Sequence, residues 1–152
     1  MSQLRIFRTV QALVFVALSS AGSLLAVEAV TIPFPRSGTV RVDLSNGPMV
    51  IRSVFLKNKP STRDVRKARR DPDDTTTLRF VFSVGNSGRR DWKADIKVQV
   101  LTADEHLLAE NDRADEVNAR KLHDKISVWA KIRTRDYPSA DHVRVEARFR
   151  PN

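Results

Sequence analysis

The stretch Leu78–Leu101, LRFVFSVGNSGRRDWKADIKVQVL, gives the strongest indication of the fold in this sequence. Large apolar residues occupy alternate positions from Leu78 to Val84 and again from Ile96 to Val100. Because successive side chains of a strand point to opposite faces, each run predicts a half-buried strand. The residues between the runs, rich in Gly, Asn and Ser, are typical of a turn that links strands of a β-sandwich.

The rest of the chain favours the same fold class. Alternating or continuous apolar runs predict further strands at 40–44, 49–57, 106–110, 126–132 and 143–149. Pro33 and Pro35 predict that residues 31–37 form an extended lead-in that cannot pair fully in a central strand. The charged segment that follows 106–110 predicts irregular structure. We therefore expect an all-β fold over residues 30–152, an immunoglobulin-like antiparallel β-sandwich of about seven strands.

The first 29 residues have the organisation of a secretory signal peptide. Arg5 and Arg8 supply the positive start, Val10–Leu18 the apolar core, and Val27-Glu28-Ala29 the peptidase site. We expect cleavage of residues 1–29 and a secreted or periplasmic product. The alternative is an N-terminal membrane anchor, since residues 10–27 are just long enough to cross a bilayer core of roughly 30 Å.

The charge balance of the chain favours an anionic partner. The sequence contains 27 Lys and Arg residues against 18 Asp and Glu residues, a formal net charge of +9. Such a surface attracts acidic polysaccharides, lipid head groups and nucleic acid, and export makes nucleic acid the least expected of these. The chain has no cysteine, so a disulfide cannot stabilise it.

A cationic segment, residues 57–70, is the candidate polyanion-binding feature. Only Asp64 offsets its seven basic residues, and arginine forks suit phosphates, sulfates and carboxylates. Because residues 57–74 have no apolar periodicity, we expect them to form a long mobile loop containing one helical turn. The alternative interpretation is a solvated loop without a ligand. The basic residues are Lys57, Lys59, Arg63, Arg66, Lys67, Arg69 and Arg70.

Trp129 falls on the polar side of the predicted strand 126–132, together with Lys131 and Arg133. An aromatic ring among cations on a sheet face can bind a sugar or a partner strand. These three residues are therefore a candidate surface contact. The alternative is that the ring simply packs against its neighbours.

No catalytic or metal-binding pattern emerges from the sequence. The segment Gly85–Gly88 is one residue short of a nucleophile elbow, and a turn that needs positive φ explains its glycines. The three histidines are far apart, and Asp71, Asp73 and Asp74 lack the spacing of a calcium loop. We expect a protein that is not an enzyme and has no cofactor.

The segments Phe80–Gly88 and Ile96–Asp104 resemble bacterial immunoglobulin-like modules of the CARDB and FxLyD type. In those modules a strand ends in a V-x-N-x-G turn and the next strand ends in an acidic hairpin, although here Ala103-Asp104-Glu105-His106 replaces the usual glycine. The resemblance implies a non-catalytic adhesion, spacer or accessory domain.

Two functions follow as expectations. The first is an exported non-catalytic binding or structural module that acts through contacts with an envelope or extracellular protein. The alternative is a protein that binds an acidic polysaccharide or lipid head groups through residues 57–70.

Overall fold

The computed structural model describes residues 26–152, so the core of the expected signal peptide or anchor lies outside the described residues. Within 26–152, no helix is long and apolar enough to cross a membrane. The described elements are β1 (Val27–Pro33), β2 (Thr39–Asn46), β3 (Met49–Lys57), α1 (Thr62–Ala68), β4 (Thr75–Asn86), β5 (Trp92–Leu101), β6 (Leu107–Val117), β7 (Asp124–Arg133), a 3₁₀ helix (Thr134–Ser139) and β8 (His142–Pro151).

The eight strands form a β-sandwich of two antiparallel four-stranded sheets. Sheet I has the strand order β1-β8-β5-β6, and sheet II has the order β2-β3-β4-β7. The predicted β-sandwich is thus confirmed, with one more strand than expected.

The additional strand is β1, which pairs with β8 from Val27 to Pro33. Pro33 ends the pairing rather than preventing it, because proline is tolerated at the end of an edge strand. The expected cleavage after Ala29 falls inside β1 and would leave only its last four residues paired with β8.

The core is built from the residues that alternate inward along the central strands. Leu78, Phe80, Phe82 and Val84 of β4 are all 0% exposed, as the alternation predicted. The other inner positions of β5, β7 and β8 are buried as well. Burying each large apolar side chain contributes about 1.5–3 kcal/mol, so this core is the main stabilising element of a chain without disulfides.

The turn between β4 and β5 carries the chain from sheet II to sheet I. Gly85 and Gly88 in this region do not have positive φ, so that part of the sequence interpretation was wrong. They are needed for space instead. A Cβ on Gly85 would lie 2.6 Å from the carbonyl oxygen of Leu122, and one on Gly88 would lie 3.0 Å from Oδ1 of Asn86.

Two segments predicted to be irregular are ordered elements. β6 continues through the charged residues to Val117, paired with β5 along its whole length. Because β6 is an edge strand, its charged side chains keep access to water on both sides, which removes the apolar alternation. The segment 57–70 contains α1, a helix of 7 residues, rather than a loop with a single helical turn.

The inward placement of Val128 provides a test of the fold. Val128→Asp should lower the free energy of unfolding by roughly 3 kcal/mol or more, because it buries an unpaired carboxylate. Lys131 lies on the outer face of the same strand, so Lys131→Asp should change the free energy of unfolding by only about 0.5 kcal/mol. Urea denaturation measures both, and equal losses for the two variants would contradict the assignment of faces.

Candidate binding surface

The two outer faces of the sandwich differ in charge. Sheet I presents five basic and five acidic side chains, whereas sheet II presents seven basic side chains and one acidic side chain. We call the outer surface of sheet II the basic face. The sheet I residues are Lys93, Lys97, Arg144, Arg148, Arg150, Asp95, Glu110, Asp112, Glu116 and Glu146. The basic face contains Arg41, Arg52, Lys57, Arg79, Lys125, Lys131, Arg133 and Asp43.

Sheet I carries equal numbers of basic and acidic side chains, and some of the opposite charges face each other on neighbouring strands. Lys97 lies directly opposite Asp112 on β6 and Glu146 on β8, an arrangement that stabilises paired strands. The ammonium of Lys97 is also 3.5 Å from Glu110, whose carboxylate accepts a hydrogen bond of 3.0 Å from Gln99. This hydrogen bond, together with the charge of Lys97, lowers the pKa of Glu110. Sheet I therefore offers little net charge to a partner.

The basic face lacks this compensation. Lys57 of β3 lies directly opposite Arg79 of β4, and like charges in that position destabilise a sheet. Among the described residues, no carboxylate lies within 4 Å of the cationic groups of Lys57, Arg79, Lys131 or Arg133. The acidic residue of this face, Asp43, pairs with Arg41 at 3.1 Å. The remaining cations are available to an external anion.

Trp129 lies on the basic face and is 37% exposed. The guanidinium carbons of Arg79 and Arg113 lie over its ring, 5.3 and 5.4 Å from the ring centroid. Arg79 also donates a hydrogen bond of 3.0 Å from Nε to Oγ of Ser127. The indole thus packs against two cations, and part of its surface remains open.

The structure places the three sequence-selected residues Trp129, Lys131 and Arg133 on one face, at alternate positions of β7. Arg79 and Arg113 were not among the residues predicted from the sequence. Arg79 reaches Trp129 because β4 and β7 pair in register, and Arg113 reaches it because β6 of sheet I runs beside β7. No local pattern indicates either relation.

The helix within the segment 57–70 begins with a capping box. Oγ of Ser61 accepts a hydrogen bond of 3.2 Å from the amide of Asp64, and the amide of Ser61 donates one of 2.9 Å to the Asp64 carboxylate. Hydrogen bonds from the side chain and then the backbone of Ser61 lower the pKa of Asp64. Ala68 is buried, and α1 lies against the 3₁₀ helix.

The seven predicted polyanion-binding residues occupy three different environments. Lys57 belongs to the basic face. Lys59 donates a hydrogen bond of 2.7 Å from Nζ to the carbonyl oxygen of Arg36. This bond links the segment before α1 to the segment between β1 and β2. The other five are exposed on or just after α1, and in the part of the chain that the structure describes none has a carboxylate within 4 Å. They are Arg63, Arg66, Lys67, Arg69 and Arg70.

Arg36 has a structural role that the sequence did not indicate. Its guanidinium lies over the rings of Phe34 and Tyr137, 5.3 and 5.5 Å from their centroids. It also donates a hydrogen bond of 2.8 Å to the carbonyl oxygen of Pro138. Burial raises the pKa of the Tyr137 hydroxyl, while the positive charge of Arg36 opposes that shift. These contacts link the segment after β1 to the 3₁₀ helix, against which α1 lies.

Within residues 26–152, no group of three or more His, Asp or Glu side chains is placed to hold a metal ion. The sequence matches no protein-family model and no curated protein. The surface itself therefore carries the functional argument.

The capping box makes the stability of α1 depend on pH. Hydrogen bonding lowers the pKa of Asp64 in the folded protein. The carboxylate therefore contributes fully to the stability of α1 at any pH above the pKa that Asp64 has in the unfolded chain. That contribution disappears as the pH falls through the lower folded pKa. The Cα chemical shifts of Val65 and Ala68 should move toward coil values at acidic pH. Asp64→Asn should abolish this transition, and Asp71→Asn should retain it; an unchanged transition in Asp64→Asn would contradict the assignment.

Proposed function

We propose that this protein is an exported, non-catalytic binding module that recognises an acidic surface of a partner protein through its basic face. The observation that carries the proposal is the difference between the two outer faces. One sheet balances five basic side chains with five acidic ones, whereas the other presents seven basic side chains and one acidic side chain. Among the described residues, six of the seven basic-face cations have no carboxylate within 4 Å: Arg52, Lys57, Arg79, Lys125, Lys131 and Arg133.

Retaining these charges has an energetic cost that an acidic partner would remove. Like charges on neighbouring strands repel, as in the directly opposed pair Lys57 and Arg79. A complementary acidic surface would relieve that repulsion on binding and would accelerate encounter through long-range attraction. Salt would weaken both effects, since exposed charges are screened beyond about 8 Å at physiological ionic strength.

The strand order supports an immunoglobulin-like module. In immunoglobulin domains strands B and E are neighbours in one sheet and C and F in the other, with B–C and E–F connecting the sheets. Here β4 and β7 are neighbours in sheet II, β5 and β8 are neighbours in sheet I, and β4–β5 and β7–β8 make the connections. β1 lies beside β8, where strand G lies beside F. This arrangement is consistent with the resemblance to CARDB and FxLyD modules.

One observation favours the second candidate function, binding of an acidic polysaccharide or lipid head groups through residues 57–70. Five exposed cations surround α1, and Asp64, the carboxylate closest to them in sequence, is engaged in the capping box. A polyanion running along the helix would contact several of these cations at once and would release counterions from each contact.

Charge-removal variants distinguish the two candidates. Lys131→Ser/Arg133→Ser removes two charges from the basic face, and Lys93→Ser/Arg150→Ser removes the same number from sheet I. After crosslinking in the native envelope and quantification of captured proteins, only the first variant should lose its partner, by about tenfold or more. If both double variants captured the partner equally well, binding through the basic face would be refuted. Selective loss in Arg66→Ser/Lys67→Ser/Arg69→Ser/Arg70→Ser would favour the polyanion function.

A further inference from the structure

Arg79, Trp129 and Arg113 form a continuous cation–aromatic–cation cluster at the edge of the basic face. We call this cluster the Arg-Trp-Arg stack. Arg79 comes from β4, Trp129 from β7 and Arg113 from β6, and β4 and β6 both lie beside β7. The stack therefore joins sheet II to the edge strand of sheet I.

Additional contacts hold each member of the stack in place. Nε of Arg79 donates to Ser127, and Nη2 of Arg113 lies 3.5 Å from the carboxylate of Asp115. The amide of Asn111 donates a hydrogen bond of 2.6 Å to the backbone oxygen of Trp129. Long arginine side chains lose much rotamer entropy when they bind a ligand, and guanidinium groups that are already positioned avoid part of that loss.

More cations surround the Trp129 ring than a stabilising contact at the edge of the sheet requires. A single arginine over Trp129 would supply a cation–π contact of about 0.5–1 kcal/mol at an exposed site. The structure places a second arginine over the same ring, Lys57 opposite Arg79, and Lys131 two positions along β7. Within the described residues Asp115 is the carboxylate that reaches the stack, and its pair with Arg113 is about half exposed, with side chains at 47% and 43%. An incoming anion would compensate the excess.

The geometry selects among anionic ligands. Guanidinium forks bind carboxylates through two parallel hydrogen bonds, and Trp and Arg are the residues that most often dominate protein interfaces. Two guanidinium groups lie over the indole, so a sugar ring that stacked on the same part of the ring would compete with them. A peptide that carries acidic side chains meets no such obstacle.

We propose that the Arg-Trp-Arg stack is the anchoring site for carboxylate side chains of an acidic segment of the partner protein. This inference rests on the proposed function of the basic face and names the residues that dominate it. Carboxylates would bind to Arg79 and Arg113, and the indole would hold both guanidinium groups in position and exclude water from one side of each contact.

The test uses poly-L-glutamate, labelled with a fluorophore, as the acidic probe, with anisotropy to measure affinity. Arg79→Lys keeps the charge but loses the fork and the geometry of the bond to Ser127, and Trp129→Leu keeps an apolar side chain without the aromatic ring. Both should weaken binding at least tenfold, while Trp129→Phe should recover much of it. Lys125→Ser, which removes a full charge from the same face at a distance from the stack, should weaken binding about twofold.

A second measurement locates the probe. In the Trp92→Phe background Trp129 becomes the reporter tryptophan, and its emission should change on addition of poly-L-glutamate. Thermal melting of each variant separates loss of binding from loss of folding.

The outcomes separate the two proposals. If the wild type binds poly-L-glutamate and the Arg79 and Trp129 variants bind equally well, the anchoring role of the stack is refuted. Binding through the basic face then stands if Lys131→Ser/Arg133→Ser weakens binding, and is refuted if only Arg66→Ser/Lys67→Ser/Arg69→Ser/Arg70→Ser does. If the wild type binds heparin or phosphatidylglycerol vesicles but not poly-L-glutamate, both proposals are refuted in favour of a polyanion or a lipid surface.

Discussion

The buried side-chain amide of Asn86 connects the two sheets, and the position of β6 relative to sheet II depends on it. Asn86 ends β4 in sheet II and is 0% exposed. Its side-chain nitrogen donates to the carbonyl oxygens of Arg90 at 2.8 Å, Val117 at 2.9 Å and Asn118 at 3.2 Å, while its oxygen accepts from the amide of Gly88 at 2.9 Å. Leaving one buried partner unsatisfied costs about 1–3 kcal/mol, so these bonds fix the end of β6 against the end of β4.

The glycine beside this amide serves the same connection. Because Gly85 has no side chain, the guanidinium of Arg52 can lie over the backbone of β4 and donate a hydrogen bond of 2.8 Å to the carbonyl oxygen of Leu122. The segment that precedes β7 is thereby held against sheet II. β6 and β7 then run side by side, which brings Arg113 over Trp129. A short turn motif thus positions residues that are distant from it in sequence.

Local patterns were sufficient where one face of a strand is apolar and the other is polar. The alternation of β4, β7 and β8 therefore predicted both the strands and their buried residues. The same reasoning failed for β6, whose edge position leaves charged side chains on both faces. The helix α1 is too short to show apolar periodicity. The spacing of Ser61 and Asp64, typical of a capping box, is the sequence signal that could have predicted its start.

The candidate site was only partly accessible from sequence for a related reason. Trp129, Lys131 and Arg133 share one face because they alternate along a single strand, which a local pattern can show. The contacts of Trp129 with Arg79 and Arg113 depend on strand pairing and on the approach of the two sheets, which are long-range properties. The charge difference between the faces likewise requires each strand to be assigned to a sheet.

Mapping of backbone amide chemical shifts during titration with poly-L-glutamate tests the role of the basic face most directly. The account predicts shifts centred on Arg79, Trp129 and Lys131, with Lys97 and Glu146 on sheet I unaffected. Shifts confined to Arg66–Arg70, or spread evenly over both sheets, would contradict it.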